Sequence, residues 1–214
     1  MPFSWMLLYF QIFMFVAQFI PGFGLILIKC SMWLPFGTSF TRTGRGSDVL
    51  LPDFSIFQIL SYSFFNTDFF MLLFNLLGIY TCAQILENHW GEKRFLFFYL
   101  ACALGDGLLQ LLIGALSRSS GFVVGAAGPM FGMLMAMVLL HRDKEIDPPW
   151  LPKMQVMTFV IGLGVITLLI GKGPQTFLVQ VVHLISGALF GWLLLTYWRW
   201  KDPLPENIYG DEED

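Results

Sequence analysis

Six runs of mostly apolar residues, about 5–28, 68–86, 95–116, 121–140, 154–171 and 176–198, take up most of the 214 residues. Each is close to the roughly 20 residues a helix needs to cross a bilayer. A helix is one of only two folds that satisfy their own backbone polar groups inside hydrocarbon. The expected fold is therefore an all-α membrane protein with six spans, and little chain remains for a soluble domain. Composition agrees, with 56% hydrophobic and 13% charged residues and a mean hydropathy of +0.68. The first run lacks a basic leading segment and exceeds an ordinary signal-peptide apolar region, so it reads as a retained span.

Lys and Arg in the connections set the orientation, because they are held preferentially on the cytoplasmic side. With the N-terminus inside, seven such residues are cytoplasmic: Lys93, Arg94, Arg142, Lys144, Lys153, Arg199 and Lys201. Five lie opposite: Lys29, Arg42, Arg45, Arg118 and Lys172. Both termini are thus expected in the cytoplasm, with a membrane domain over 1–200 and a short acidic tail over 201–214. The formal net charge of −3 owes much to that tail and does not point to nucleic acid. Cys30, Cys82 and Cys102 have no metal-ligand spacing and read as buried free thiols. No phosphate loop or dinucleotide fingerprint is present, so neither metal nor cofactor is expected.

The long connection 29–67 carries Pro35, Gly37, Gly44, Gly46 and Pro52 among many aromatics. Trp33, Leu34, Phe36, Phe40 and Phe54-Ser55-Ile56-Phe57 make it too apolar for a free linker. It is expected to lie partly inserted at the lipid interface, with short helices. The other connections, 87–94, 117–120, 141–153 and 171–174, are short and hold turn-forming residues, which makes neighbouring helices antiparallel. No internal repeat is visible, which disfavours an inverted-repeat transporter.

Gly125, Gly128 and Gly132 fall at spacings of three and four, so they are expected to share one helix face. Gly187 and Gly191 form a second such pair. Small residues at these spacings let two backbones approach closely, so a tight crossing of the fourth and sixth spans is expected.

Three segments in order resemble the rhomboid family of intramembrane serine proteases, from about Phe54 to the end of the sixth span. Leu72-Leu73-Phe74-Asn75, continuing to Glu87, Gly91 and Arg94-Phe95-Leu96, is similar to the family's second-span motif and the start of the third. Gly125-Ala126-Ala127-Gly128 with Gly132 resembles the fourth-span nucleophile motif. Ser186-Gly187 with Gly191 resembles the small-residue face of the sixth span, where the family places its general base. The resemblance implies a six-helix rhomboid-like bundle in which fourth and sixth spans cross beside the reacting centre.

Several positions depart from the implied chemistry. Ala127 stands where the resemblance implies the nucleophilic serine, and a methyl group cannot attack a carbonyl. Met71 stands four residues before Asn75, where proteolytic members commonly carry a histidine that helps hold the oxyanion; a thioether donates no hydrogen bond. Alignment on Ser186, Gly187 and Gly191 puts the implied base on Leu184 and leaves His183 one residue early, about 100° around a helix. His183 then either points away as a structural histidine or is restored to the site by a local wide turn. Ala127, Met71, Asn75, His183 and Leu184 thus read as degenerate catalytic positions.

Asp106 is an ionisable group at membrane depth, which makes it, with Gln110 four residues on along the same face, a candidate functional polar position; the alternative is structural, with Asp106 protonated, bonded to a neighbouring hydroxyl or backbone group, or in contact with Gln110. Glu87 and Arg94 read as structural, Glu87 through backbone groups of a neighbouring segment or through Arg94. His89 and His141 fall in polar connections. The expected function is a rhomboid pseudoprotease that binds transmembrane segments of other proteins without cutting them, on the side of the second and fifth spans that the resemblance implies. Membrane lipids and such segments are its expected partners. One alternative is a permanent subunit of a larger stable membrane complex; another is an active protease captured with its nucleophile replaced by Ala127.

Overall fold

The computed structural model of the chain describes residues 2–35, 54–66, 68–117, 120–142, 144–149, 151–170 and 174–201. The expected tail beyond Lys201 and much of the interfacial connection therefore lie outside the described residues. Helices dominate: α1 (Phe3–Ala17), α2 (Phe23–Cys30), α3 (Gln58–Ser61) and a 3-10 turn (Tyr62–Phe64) lead into α4 (Phe69–Trp90) and α5 (Glu92–Ser117). Then follow α6 (Ala127–His141), α7 (Val156–Ile170) and α8 (Pro174–Lys201).

The ends of these helices follow from local chemistry. The Asp68 side chain accepts the backbone N–H groups of Phe70 and Met71 at 2.8 and 3.2 Å, capping the first turn of α4. Gly91 stops α4 in a left-handed conformation, φ +80°, its N–H returning to the Glu87 carbonyl at 2.7 Å. Pro129 sits in the first turn of α6, where a missing N–H costs nothing.

Three of the apolar runs are not single helices, the fifth only because its first two residues, Met154 and Gln155, form a strand. The first breaks at Pro21-Gly22, where Gly22 takes φ +89°, so α1 and α2 are separate. Proline cannot donate an interior helical hydrogen bond, which accounts for the break. The fourth run starts as strand β2 (Ser120–Val123) and becomes helical only at Ala127. That strand pairs antiparallel with β1 (Met32–Pro35), Met32 opposite Val123, and a second small pair joins β3 (Glu145–Ile146) to β4 (Met154–Gln155).

Among the described residues three helices, α4, α5 and α8, are long and apolar enough to cross a membrane. Helices α1, α6 and α7 have 15 residues each. That length spans about 22 Å at 1.5 Å per residue, less than the roughly 30 Å of bilayer hydrocarbon. Polar side chains are gathered within a largely apolar core, and large apolar side chains face outward. Asn75, Asp106, Gln110, Gln180 and His183 are buried, while Phe13, Leu108, Leu116, Leu169 and Leu178 face outward. Lipid tails are as apolar as those side chains, so buried polar groups must find partners within the protein.

Helix α6 is the centre, buried continuously from Ala127 to Leu134 and packed on α4, α5, α7 and above all α8. A Cβ on Gly191 would fall 2.6 Å from the Gly132 carbonyl oxygen, and one on Gly187 would fall 3.0 Å from the Gly132 nitrogen. The backbones of α6 and α8 therefore touch directly at these glycines. Gly125 does not share that face: it precedes the helix, at φ +137°, a backbone conformation that side-chain-bearing residues rarely adopt. The three-and-four spacing misplaced it because the helix starts two residues later. Glu87 accepts the N–H groups of Phe3 and Ser4 at 2.5 and 2.9 Å, so it caps α1 across the bundle.

Candidate functional site

The strongest polar feature is built around Asp106, fully buried on α5. Burying a lone carboxylate in a bundle is costly, and three donors from two other elements surround this one. The Tyr62 hydroxyl, in the 3-10 turn, donates to Oδ2 at 2.5 Å, with the Ala103 carbonyl also in reach at 3.0 Å. His183 Nδ1, on α8, lies 2.6 Å from the same oxygen, and the Ser186 hydroxyl donates to Oδ1. The Tyr62 and His183 rings lie nearly parallel, 10° apart with centroids at 6.3 Å. Gly128, on α6, packs directly against the carboxylate, leaving no room there for a side chain.

Asp106 thus joins α5, α6, α8 and the 3-10 turn at one point. Its partner is not Gln110, whose amide donates to the Val179 carbonyl at 3.2 Å. Position i+4 fixes which face of α5 a residue shares, and here that face meets α8, which offers closer donors.

A second polar set lies next to it. Asn75 Nδ2 donates to Asn66 Oδ1 at 2.7 Å, and Gln180 Nε2 approaches Met71 Sδ at 3.6 Å. Met71 and Asn75 are one turn apart on α4, as are Gln180 and His183 on α8. Tyr62 and Asn66 belong to one short segment, so these contacts close a ring through that segment, α4, α8 and α5. Asn66 Nδ2, Asn75 Oδ1, Gln180 Oε1 and His183 Nε2 are buried and have no hydrogen-bond partner among the described residues.

Of the positions that the family resemblance implies, Met71, Asn75 and His183 belong to this ring, and Ala127 and Leu184 lie beside it. Ala127 is fully buried as the first residue of α6. The Gly125 N–H, just before it, donates to the Tyr62 carbonyl at 3.1 Å, which ties the start of α6 to the 3-10 turn. His183 turns toward Asp106, while Leu184 turns toward α7, its Cδ1 3.5 Å from where a Gly164 Cβ would stand. The Ser186 hydroxyl is directed at Asp106 and at the Val182 carbonyl, 2.7 Å away. Tyr62, Asn66 and Gln180 were not singled out from the sequence. Gln180 and His183 do share a spacing of three on one face, whereas nothing in an aromatic connection marks Tyr62 as the donor that reaches Asp106.

A separate groove of about 380 Å³ runs between α4 and α7, with Leu73, Phe74 and Leu77 on one side and Phe159, Leu163 and Ile166 on the other. Among the described residues no group of three or more His, Cys, Asp or Glu side chains is placed to hold a metal ion. The family model described as Rhomboid domain matches residues 53–200. No curated protein matches the chain.

Proposed function

The chain belongs to the rhomboid family of membrane proteins, and from that premise we propose that it is a pseudoprotease, a six-span bundle that binds transmembrane segments of other proteins without cutting them. The observation that carries this is Ala127, a methyl group at the buried start of α6, where the family resemblance assigns the attacking hydroxyl. Ser186, on the facing helix α8, is turned instead to Asp106 and the backbone of its own helix. Asn75, assigned to the oxyanion, is engaged with Asn66, and Met71 supplies no second donor. The close α6–α8 crossing nevertheless persists, so the scaffold stands without its reacting atom.

The binding face is the α4–α7 groove, whose apolar walls suit the side chains of a membrane helix. In this reading the connection before α4 lies at the interface and both termini are cytoplasmic. Photo-crosslinking tests it: a crosslinker at Leu73 or Ile166, in proteoliposomes holding the unmodified chain and a defined single-span test segment, should trap that segment intact. Released fragments, or no crosslink above that from a crosslinker at the outward-facing Leu116, would refute it. A second reading, a protease stopped only by its residue 127, draws on the Asp106–His183 contact.

A further inference from the structure

His89 and His141, expected in polar connections, stand instead in the last turns of α4 and α6. Their rings meet where these two helices end side by side, with centres 5.8 Å apart and planes 83° apart. We infer that this pair is a binding site for one divalent transition-metal ion, held by an imidazole from each helix and completed by water. The inference does not depend on client binding or on residue 127.

The observation that carries it is the state of His141. Both of its ring nitrogens are buried, and neither has a hydrogen-bond partner among the described residues. In a neutral imidazole one nitrogen bears a proton and the other a lone pair, so two polar atoms here are left unserved. Buried polar groups without partners are uncommon enough to need a cause, and an ion is one such cause. The geometry suits an ion. An imidazole nitrogen binds zinc at about 2.0–2.1 Å and stands about 1.2 Å from its ring centre, which puts each centre about 3.2 Å from the metal. Two rings sharing one ion then have centres about 5.2 Å apart at the tetrahedral angle and at most about 6.4 Å. The observed separation falls inside that interval. Perpendicular planes are no obstacle, because a ring can take any twist about its metal–nitrogen bond.

The surroundings narrow the choice of ion. Imidazole suits zinc, copper or nickel, whereas magnesium and calcium take oxygen ligands. Both histidines sit at helix C-termini, where free carbonyls carry the negative end of the helix dipole and favour positive charge. Lys144 is also close to His141 and opposes a cation there. Its side chain is exposed, so water weakens that repulsion. A bound ion would fasten α4, one wall of the groove, to the central helix at its base.

Copper(II) is the probe, because its paramagnetic resonance counts coordinated nitrogens. The full chain in lipid nanodiscs, stripped with EDTA, is titrated with copper chloride, and bound ion is measured after dialysis. One ion per chain is expected, with splitting from two imidazole nitrogens. Zinc chloride should raise the melting temperature, since an ion that binds only the folded chain stabilises it, and EDTA should reverse the rise. Magnesium chloride should produce none. His89→Gln and His141→Gln should each weaken copper binding at least about tenfold and abolish the zinc effect. No bound ion, splitting from fewer than two imidazoles, or binding unchanged by both substitutions overturns the inference. The resonance of the unmodified chain decides the matter even where a variant fails to fold.

Discussion

Adding one methyl group at Gly191 and one at Gly162 should move stability in opposite directions, because the two glycines sit in different surroundings. Both lie in helices, where replacing Gly by Ala gains about 0.8–1 kcal/mol of helix propensity when nothing else changes. A Cβ on Gly162 would meet nothing within 4 Å. Gly162→Ala should therefore stabilise by up to about 1 kcal/mol. A Cβ on Gly191 would lie 2.6 Å from the Gly132 carbonyl oxygen and 3.0 Å from its Cα, both backbone atoms. No rotamer relieves that contact, so α6 and α8 must part by nearly 1 Å to reach ordinary van der Waals separation. Forced overpacking of this kind costs about 1–3 kcal/mol, and loosening the crossing also forfeits dispersion contacts along both helices. The propensity gain is common to both and cancels, so the two variants should differ by about 1–3 kcal/mol, some 5- to 150-fold in folding equilibrium. Reversible unfolding in mixed micelles, followed by circular dichroism, measures this. Equal stabilities within about 0.5 kcal/mol would refute the claim that the glycine contact sets the helix spacing.

Three further outcomes follow from other contacts. Glu87→Ala removes the cap from the first two amides of α1 and should cost about 0.5–2 kcal/mol, with faster hydrogen exchange in α1 than in α6. Filling the groove, which Gly162 also lines, with Gly162→Leu should cut crosslinking of a test segment at least several-fold, with melting temperature held near that of the parent. His141, at the end of α6, is held below the ordinary histidine range by burial first, then by Lys144 and His89. The unfolded chain therefore takes up the proton more readily than the folded one, and stability present above the ordinary value of about 6.5 is lost as pH falls below it. Melting temperature should drop between pH 7.5 and 5, and His141→Gln should flatten that slope.

The apolar runs located every long helix, because hydrophobic length is a local property that survives packing. Their boundaries were less legible. Pro21-Gly22 was present in the first run, yet length alone read through it, and α6 starts late because β2 pairs with Met32–Pro35, some 90 residues away in sequence. Pairing over that separation leaves no local periodicity to detect. The site shows the same division. Gly128, Gly132, Gly187 and Gly191 could be read as small faces from spacing alone. Asp106 could be read as a costly buried acid, but its partners could not, since spacing tells which face a residue is on and not what that face meets. The nearest candidate along the helix, Gln110, lost to Tyr62, His183 and Ser186 because they approach from outside α5.

Tyr62 is fastened at both ends, its hydroxyl to Asp106 and its carbonyl to the amide of Gly125. Swinging the segment before α4 outward would sever both attachments at once, stripping an acid of a donor and unseating the first turn of the central helix. That flank of the molecule is a fixed wall. In the client-binding reading, a segment then enters sideways from the lipid, through the seam where α4 and α7 meet with no polar bolt between them among the described residues.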